Sequence, residues 1–215
     1  MLIIGFTGLK RSGKDTAVNA LREEYGHQNV QSYAFAEPLY DMLDLLLQPE
    51  GFPLLDNGEV DKNAVVKPYN VTIRHMLQTL GTEWGRECIH PDVWVLRGEE
   101  LIKSMAQVVP DLPIFVFSDV RFNNEADMIR ENGGYIIRIR RPNIVPKART
   151  FRERLTQVFG SNEDTHASEN GIAEYLIDET IDNNGTLMEL QQRVLRTVAM
   201  LRRRGETLTS KVVKF

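Results

Sequence analysis

An α/β fold, a parallel sheet with helices on both faces, is what this sequence predicts, on three observations. Short apolar runs recur at Leu2–Phe6, Ile114–Phe117 and Tyr135–Ile139, as strands buried on both faces do. Stretches with helical apolar spacing alternate with them, the order that builds a parallel sheet. The chain has 215 residues, 42% hydrophobic and 26% charged, the proportions of a globular core large enough to carry inserted lobes.

Each element follows from local pattern. Leu2–Phe6 opens the chain as a buried strand, and a glycine-containing loop leads into a helix from Lys14 to about Tyr25 with Ala17, Ala20 and Leu21 on one face. Ser32–Phe35 is expected as a second strand. From Pro38, Leu39, Met42, Leu43, Leu46 and Leu47 recur at helical spacing. Gly51–Pro68 reads as a loop excursion, rich in Gly, Pro, Asp and Asn. Helices are expected over Ile73–Trp84 and Asp92–Val108, then the strand Ile114–Phe117. A helix at Asn123–Glu131 stops at Gly133-Gly134. Strands at Tyr135–Ile139 and within Tyr175–Ile181 complete the sheet, and Leu187–Leu201 forms a closing amphipathic helix. The long connections place one core at about 1–35, 111–142 and 171–215, with insertions at about 36–110 and 143–170. The second insertion is polar and arginine-bearing and cannot build a core of its own.

Bulk properties narrow the function classes. A net charge of −4 argues against a protein held mainly by nucleic-acid phosphates. Cys88 stands alone, so no disulfide forms within the chain, and a reducing cytoplasm is the expected location. MLIIGFTG is too short an apolar stretch for a signal peptide, and no apolar run approaches the roughly 18 residues of a membrane span.

The most specific local signal is Gly8-Leu9-Lys10-Arg11-Ser12-Gly13-Lys14, a G-x-x-x-x-G-K match between an expected strand and an expected helix. Glycines at both ends let the backbone wrap so that successive N–H groups face phosphate oxygens. The helix start adds unpaired N–H groups and its positive dipole end. Lys14 is placed to reach the β- and γ-phosphates. Asp15 stands where a Ser or Thr hydroxyl usually meets Mg²⁺, with Thr16 next. Either supplies an oxygen the metal accepts, directly or through water.

Asp119 follows the strand Ile114–Phe117, at the carboxyl edge where open α/β sheets bind ligands. A carboxylate there holds metal-bound water or accepts a proton. The same residue also reads as an N-cap for the next helix. Arg121 follows at once. Arg74 and Arg86 lie near expected element ends, and Arg138, Arg140, Arg141, Arg149, Arg152 and Arg154 cluster around the second insertion. Guanidinium groups bind phosphate bidentately, and an arginine-bearing lobe that closes over phosphates excludes water.

GLKRSGKDT (8–16), FAEPL (35–39), IRHMLQTLGTEWGR (73–86), FSDVRFNNEA (117–126), IRIRRP (137–142), THASE (165–169) and DNNGTL (182–187), taken together, resemble the phage-type deoxynucleoside monophosphate kinases. The blocks span nearly the whole chain in the family's order. The resemblance implies a P-loop kinase with a monophosphate-binding lobe at 36–110 and a lid at 143–170. It implies Mg²⁺ and ATP as donor and a deoxynucleoside monophosphate as acceptor. By matching motif, Gly13, Lys14, Asp15 and Thr16 bind the donor phosphates, with Gly8, Lys10, Arg11 and Ser12 in the same loop. Arg74, Gln78, Trp84 and Arg86 face the acceptor. Asp119 and Arg121 sit between the two nucleotides, and His166, Ser168 and Glu169 lie at the lid's return. Asn183 lies near the donor adenine, and Arg138, Arg140, Arg149 and Arg152 are grouped with the lid. A homodimer, in the cytoplasm of an infected host, is the assembly and location it suggests. On the residues alone, Trp84 also reads as core, and Asn183-Asn184-Gly185 as an ordinary turn.

Two other readings compete. A kinase of another phosphorylated acceptor, such as dephospho-coenzyme A, shares the architecture, and a non-catalytic nucleotide-binding module shares the loop. A regulatory GTPase is disfavoured, since the chain has no Asn-Lys-x-Asp sequence.

Overall fold

The computed structural model describes residues 1–67, 69–110, 113–142 and 172–212, with side chains to residue 205. It divides into two compact units. The first is Met1–Ala34 with Ile102–Phe215, and the second is Phe35–Leu101.

The first unit is built on a parallel five-stranded sheet. Its strands are β1 (Leu2–Thr7), β2 (Val30–Tyr33), β5 (Ile114–Phe117), β6 (Tyr135–Arg140) and β7 (Glu179–Asp182), in the order β2-β5-β1-β6-β7. All four pairings are parallel. Side chains alternate across β1. Ile4 and Phe6 are fully buried in a cluster with Ala17, Val18 and Leu21 of α1 (Lys14–Tyr25) and Leu190, Val194 and Val198 of the closing helix α6 (Leu187–Val212). Gly5 faces the other way. A Cβ there would lie 2.6 Å from Ile136 Cδ1 and 2.9 Å from Ile129 Cδ1 of α5 (Asn123–Glu131), so its bareness lets α5 approach the sheet. Helices on both faces follow from this alternation, because a strand with two apolar faces needs cover on each. The fold is the expected three-layer α/β P-loop arrangement.

The bounds of β2 and β7 differ most from those expected. β2 starts at Val30 rather than Ser32, where Val30 pairs with Ile114, and it ends when the Tyr33 carbonyl accepts from Ser118 N at 2.9 Å. The last strand begins at Glu179 because residues 174–176 form a 3₁₀ turn, and the Asp178 carboxylate accepts from Ile136 N (2.8 Å) and Arg130 Nη1 (2.9 Å). The side chain supplements a backbone bond there, Asp178 N donating to the Ile136 carbonyl at 2.9 Å. The N-terminus of α6 is closed reciprocally: Thr186 N donates to Glu189 Oε2 (2.7 Å) and Glu189 N to Thr186 Oγ1 (3.3 Å), the capping pattern that T-x-x-E encodes.

The second unit contains α2 (Glu37–Leu47), a small antiparallel ladder of β3 (Val65–Val66) and β4 (Val71–Thr72), and α3 (Ile73–Thr79). It also holds a π-helical segment, Leu80–Ile89, and the first residues of α4 (Val93–Val108). Thr72 Oγ1 caps α3 by accepting from His75 N at 3.1 Å. The helix expected over Ile73–Trp84 therefore changes its hydrogen-bonding register after Thr79. Among the described residues no helix is long and apolar enough to cross a membrane.

Candidate active site

The phosphate loop leaves the central strand β1 and enters α1 through two left-handed glycines and a left-handed arginine, with φ of 140° at Gly8, 64° at Arg11 and 111° at Gly13. A side chain at Gly8 would collide with the Ile139 carbonyl. Gly13, the residue before α1, provides no side-chain cap, so the N–H groups of the first turn are left to an anion. Ser12 is 1% exposed, and its Oγ is buried without a hydrogen-bond partner. A buried hydroxyl in that position is a donor suited to a phosphate oxygen.

Lys14 Nζ lies inside the curl of the loop, donating to the carbonyls of Gly8 (2.8 Å) and Leu9 (3.0 Å). Burial pushes its pKa down and the Arg121 charge lowers it further, while Asp15 and Asp119 pull it back up. Three of the expected catalytic residues, Lys14, Asp119 and Arg121, are thus brought into one electrostatic neighbourhood, with Asp15 beside them.

The strand register explains why. Gly5 of β1 is level with Phe117 of β5, so the residues after each strand emerge side by side, and Val120 N donates to the Phe6 carbonyl at 3.0 Å. Asp119 is not the cap of α5. The buried Glu125 fills that role, its Oε2 accepting from Arg121 N (2.8 Å) and Phe122 N (3.2 Å). Glu125 is 2% exposed and sets the backbone of Arg121. Its signal in the sequence was the third helical position of α5, where Glu turns back onto preceding amides.

Asn183, just beyond β7, reaches the loop from the other side, its Nδ2 donating to the Ser12 carbonyl at 2.8 Å. Its own N–H donates to the Arg140 carbonyl at 2.7 Å. The structure thus gives this side chain, expected beside adenine, a contact with the loop backbone. Arg138 and Arg140, grouped with the lid on sequence proximity, belong to β6. Arg138 Nη1 pairs with Glu174 Oε2 at 2.5 Å. Arg140 grips Asp182 with Nε–Oδ1 at 2.6 Å and Nη2–Oδ2 at 3.0 Å. That hydrogen bond holds the Asp182 carboxyl below its ordinary range and raises Arg140. Register is the cause: Arg140 is level with Asp182 across the ladder.

Arg74, Gln78, Trp84 and Arg86 all fall in the second unit. Arg74 and Gln78 are one turn apart on α3, both exposed, and Arg74 Nε and Nη2 each lie 3.4 Å from Asn63 Oδ1. Trp84 is 42% exposed, which removes the core reading. Arg86 is half-buried, its Nη1 3.3 Å from the Gly81 carbonyl. Asn63 was missed, because nothing in its local sequence links it to an arginine eleven residues on. Arg149, Arg152, His166, Ser168 and Glu169 lie outside the described residues.

Carboxylate oxygens are the ligand type a divalent cation takes, and among the described residues no group of three or more His, Cys, Asp or Glu is placed to hold one without other ligands. Asp15 and Asp119 both act on Lys14, and Thr16 follows Asp15 in the first turn of α1. Mg²⁺ beside nucleotide phosphates asks for one or two protein carboxylates and completes its shell with water.

Known proteins are similar to this chain. A putative deoxynucleotide monophosphate kinase of Acanthamoeba polyphaga mimivirus is 29% identical over 208 residues, covering 92% of this chain and 96% of that protein. The deoxynucleoside-5'-monophosphate kinase of Escherichia phage T5 is 27% identical over 174 residues, covering 80% of this chain and 60% of that one. Among solved structures, a dephospho-CoA kinase from Campylobacter jejuni superposes with a TM-score of 0.46 at 15% identity, covering 92% of this chain and 95% of its own. The sequence model of one family, described as Deoxynucleotide monophosphate kinase, matches residues 47–194, more than half of the chain. That match, which holds Asp119 and Arg121 and begins after the phosphate loop, shows that the chain belongs to the deoxynucleotide monophosphate kinase family.

Proposed function

We propose that the protein transfers the γ-phosphoryl group of ATP to the phosphate of a deoxynucleoside monophosphate, giving ADP and the deoxynucleoside diphosphate. The observation that carries this is Lys14, half-buried and curled back onto the Gly8 and Leu9 carbonyls of the phosphate loop, with Arg121 and Asp119 acting on its charge. An acceptor phosphate is already a competent nucleophile, so positioning and charge neutralisation can supply most of the rate. Lys14 follows the charge that builds on the transferring group. The amides of Gly13 to Thr16 and the Ser12 hydroxyl bind donor phosphate oxygens. Arg121, its backbone fixed by Glu125, lies between donor and acceptor. Asp15, Asp119 or Thr16 would hold Mg²⁺, directly or through water. The chemistry a divalent cation would supply there is neutralisation of the donor phosphates' negative charge.

On the acceptor side, Arg74, Gln78 and Arg86 would take the monophosphate and sugar edge, and Trp84 offers an exposed ring for base stacking. The segment 143–170, with Arg149 and Arg152, would act as the lid, and Glu169 would meet the acceptor. A homodimer in the host cytoplasm completes the reading.

The test is ADP release with Mg²⁺ and ATP against dTMP, dGMP, dCMP, dAMP, UMP and dephospho-coenzyme A. ADP formed in response to one or more deoxynucleotides is the expected result. Turnover of dephospho-coenzyme A alone would reassign the acceptor, and ATP binding with no acceptor-dependent ADP would leave a binding module.

A further inference from the structure

We infer that Trp94 is a positioning residue for the acceptor, holding the π-helical segment that presents Trp84 and Arg86; this rests on the kinase reading above. The segment Leu80–Ile89 hydrogen-bonds one residue out of α register, as in His90 N to the Gly85 carbonyl at 3.0 Å. A π register is less favourable than α, and where it occurs it often marks a functional site. Something must therefore hold it. Just before it, Thr79 Oγ1 is buried without a hydrogen-bond partner, a sign that the turn is not optimised for its own sake.

Trp94 is the clamp. It is 6% exposed, and its Nε1 donates to the Gly81 carbonyl at 2.8 Å. The same carbonyl receives Arg86 Nη1 at 3.3 Å. The ring covers Gly85 so closely that a Cβ there would lie 2.6 Å from Trp94 Cζ2. A single indole thus bonds the Gly81 carbonyl and covers Gly85, while Leu39 covers the bare side of Gly81, its Cδ1 3.0 Å from where a Cβ would stand. Trp84 and Arg86 flank Gly85 in the chain, so the clamped glycine fixes where each of them starts. Trp84 is left 42% exposed, unusual for so large an apolar surface unless a planar partner covers it.

The role differs from ordinary core packing in its kinetic signature. Turnover of a deoxynucleotide by the wild-type protein is measured first, and it settles the kinase reading independently. With that acceptor, Trp94→Phe, which keeps an aromatic ring and removes the N–H donor, is expected to raise the acceptor KM about fivefold. The ATP KM and kcat at saturating acceptor should stay within about twofold. Gly85→Ala, which pushes the ring from the other side, should shift the same parameter in the same direction. Equal changes in both KM values, or none in either, would overturn the proposal. So would failure of both variants to fold, which would make Trp94 a core residue only.

Discussion

Asn183 donates its side-chain N–H to the carbonyl of Ser12 at 2.8 Å, tying the residue after β7 to the phosphate loop after β1. The loop is thereby held from the side opposite Asp119 and Arg121. A carbonyl fixed by a strut keeps its neighbouring amides aimed, and aimed amides bind phosphate without reorganising. Replacing Asn183 by Ala should weaken ATP binding about fivefold by calorimetry, the worth of one hydrogen bond of about 1 kcal/mol, with less effect on the acceptor KM. An ATP affinity equal to wild type would show that the strut does not matter to the loop.

Lys14→Ala should lower kcat by at least about a thousandfold, since in the proposed mechanism it removes the cation that follows the transferring charge. The variant should fold, because burial and Arg121 already disfavour this charge in the native state. Circular dichroism and a thermal melt check the second half. Near-normal turnover would remove Lys14 from the mechanism.

The depressed pKa of Lys14 has a pH signature of its own. The ordinary value is 10.5, and the folded value is lower, through desolvation first and Arg121 second. Below the folded pKa the lysine is charged in both folded and unfolded states, and its burial costs stability there. As pH rises from the folded pKa towards 10.5 the native state binds fewer protons than the unfolded chain, so this cost is relieved. ATP affinity should move the opposite way, falling as the ammonium is lost, with a midpoint below that of an exposed lysine. Arg121→Gln should move that midpoint to higher pH. Titration of ATP affinity against pH in both proteins decides it, and an unmoved midpoint would count against the coupling.

Glu125→Ala should cost about 1–3 kcal/mol of stability by urea denaturation, because it strips the acceptor from two amides in a buried site. Glu125→Gln retains an oxygen and should recover most of that stability. Both should lower kcat if the carboxylate sets the path of Arg121. A destabilised Ala variant with wild-type kcat would limit Glu125 to capping.

Gly13→Ala combines two penalties. Its φ of 111° is strained for any side chain, and the new Cβ would lie 2.8 Å from both Asn183 Nδ2 and Leu190 Cδ2. Loss of about 1–3 kcal/mol of stability is expected, together with weaker ATP binding as the Asn183 contact is displaced. Unchanged melting temperature and ATP affinity would show the loop is more yielding than its geometry implies.

Much of the first unit was legible from sequence. The apolar runs at Leu2 and Ile114 are uniform because both faces of those strands are covered, and the glycines at 8 and 13 are demanded by backbone conformation. Such local causes leave local traces. Cross-strand pairings leave none: Arg140 with Asp182 depends on which strands lie side by side, so its partner was invisible and its grouping with the lid arginines was an inference from proximity. The same holds for Asn183, placed by a contact 171 residues back along the chain. The π register after Thr79 was also hidden, because the Gly81 and Gly85 spacing suits an α-helix equally well until Trp94 is seen to lie over Gly85 and to bond the Gly81 carbonyl. Glu125 lay between these cases, since its position in the helix was readable and its hold on Arg121 was not.

The strut between Asn183 and Ser12 also bears on how the enzyme is made. A ribosome delivers the phosphate loop first, Asp119 and Arg121 later, and Asn183 with α6 later still. The loop's scaffolding therefore arrives in instalments, and its last part must find a partner made long before. Contacts so distant along the chain form late and slowly, and N-terminal segments wait for them. A nascent chain that has not yet reached β7 and α6 holds the phosphate-loop sequence without its brace, so the loop is fully supported only after Asn183 has been made.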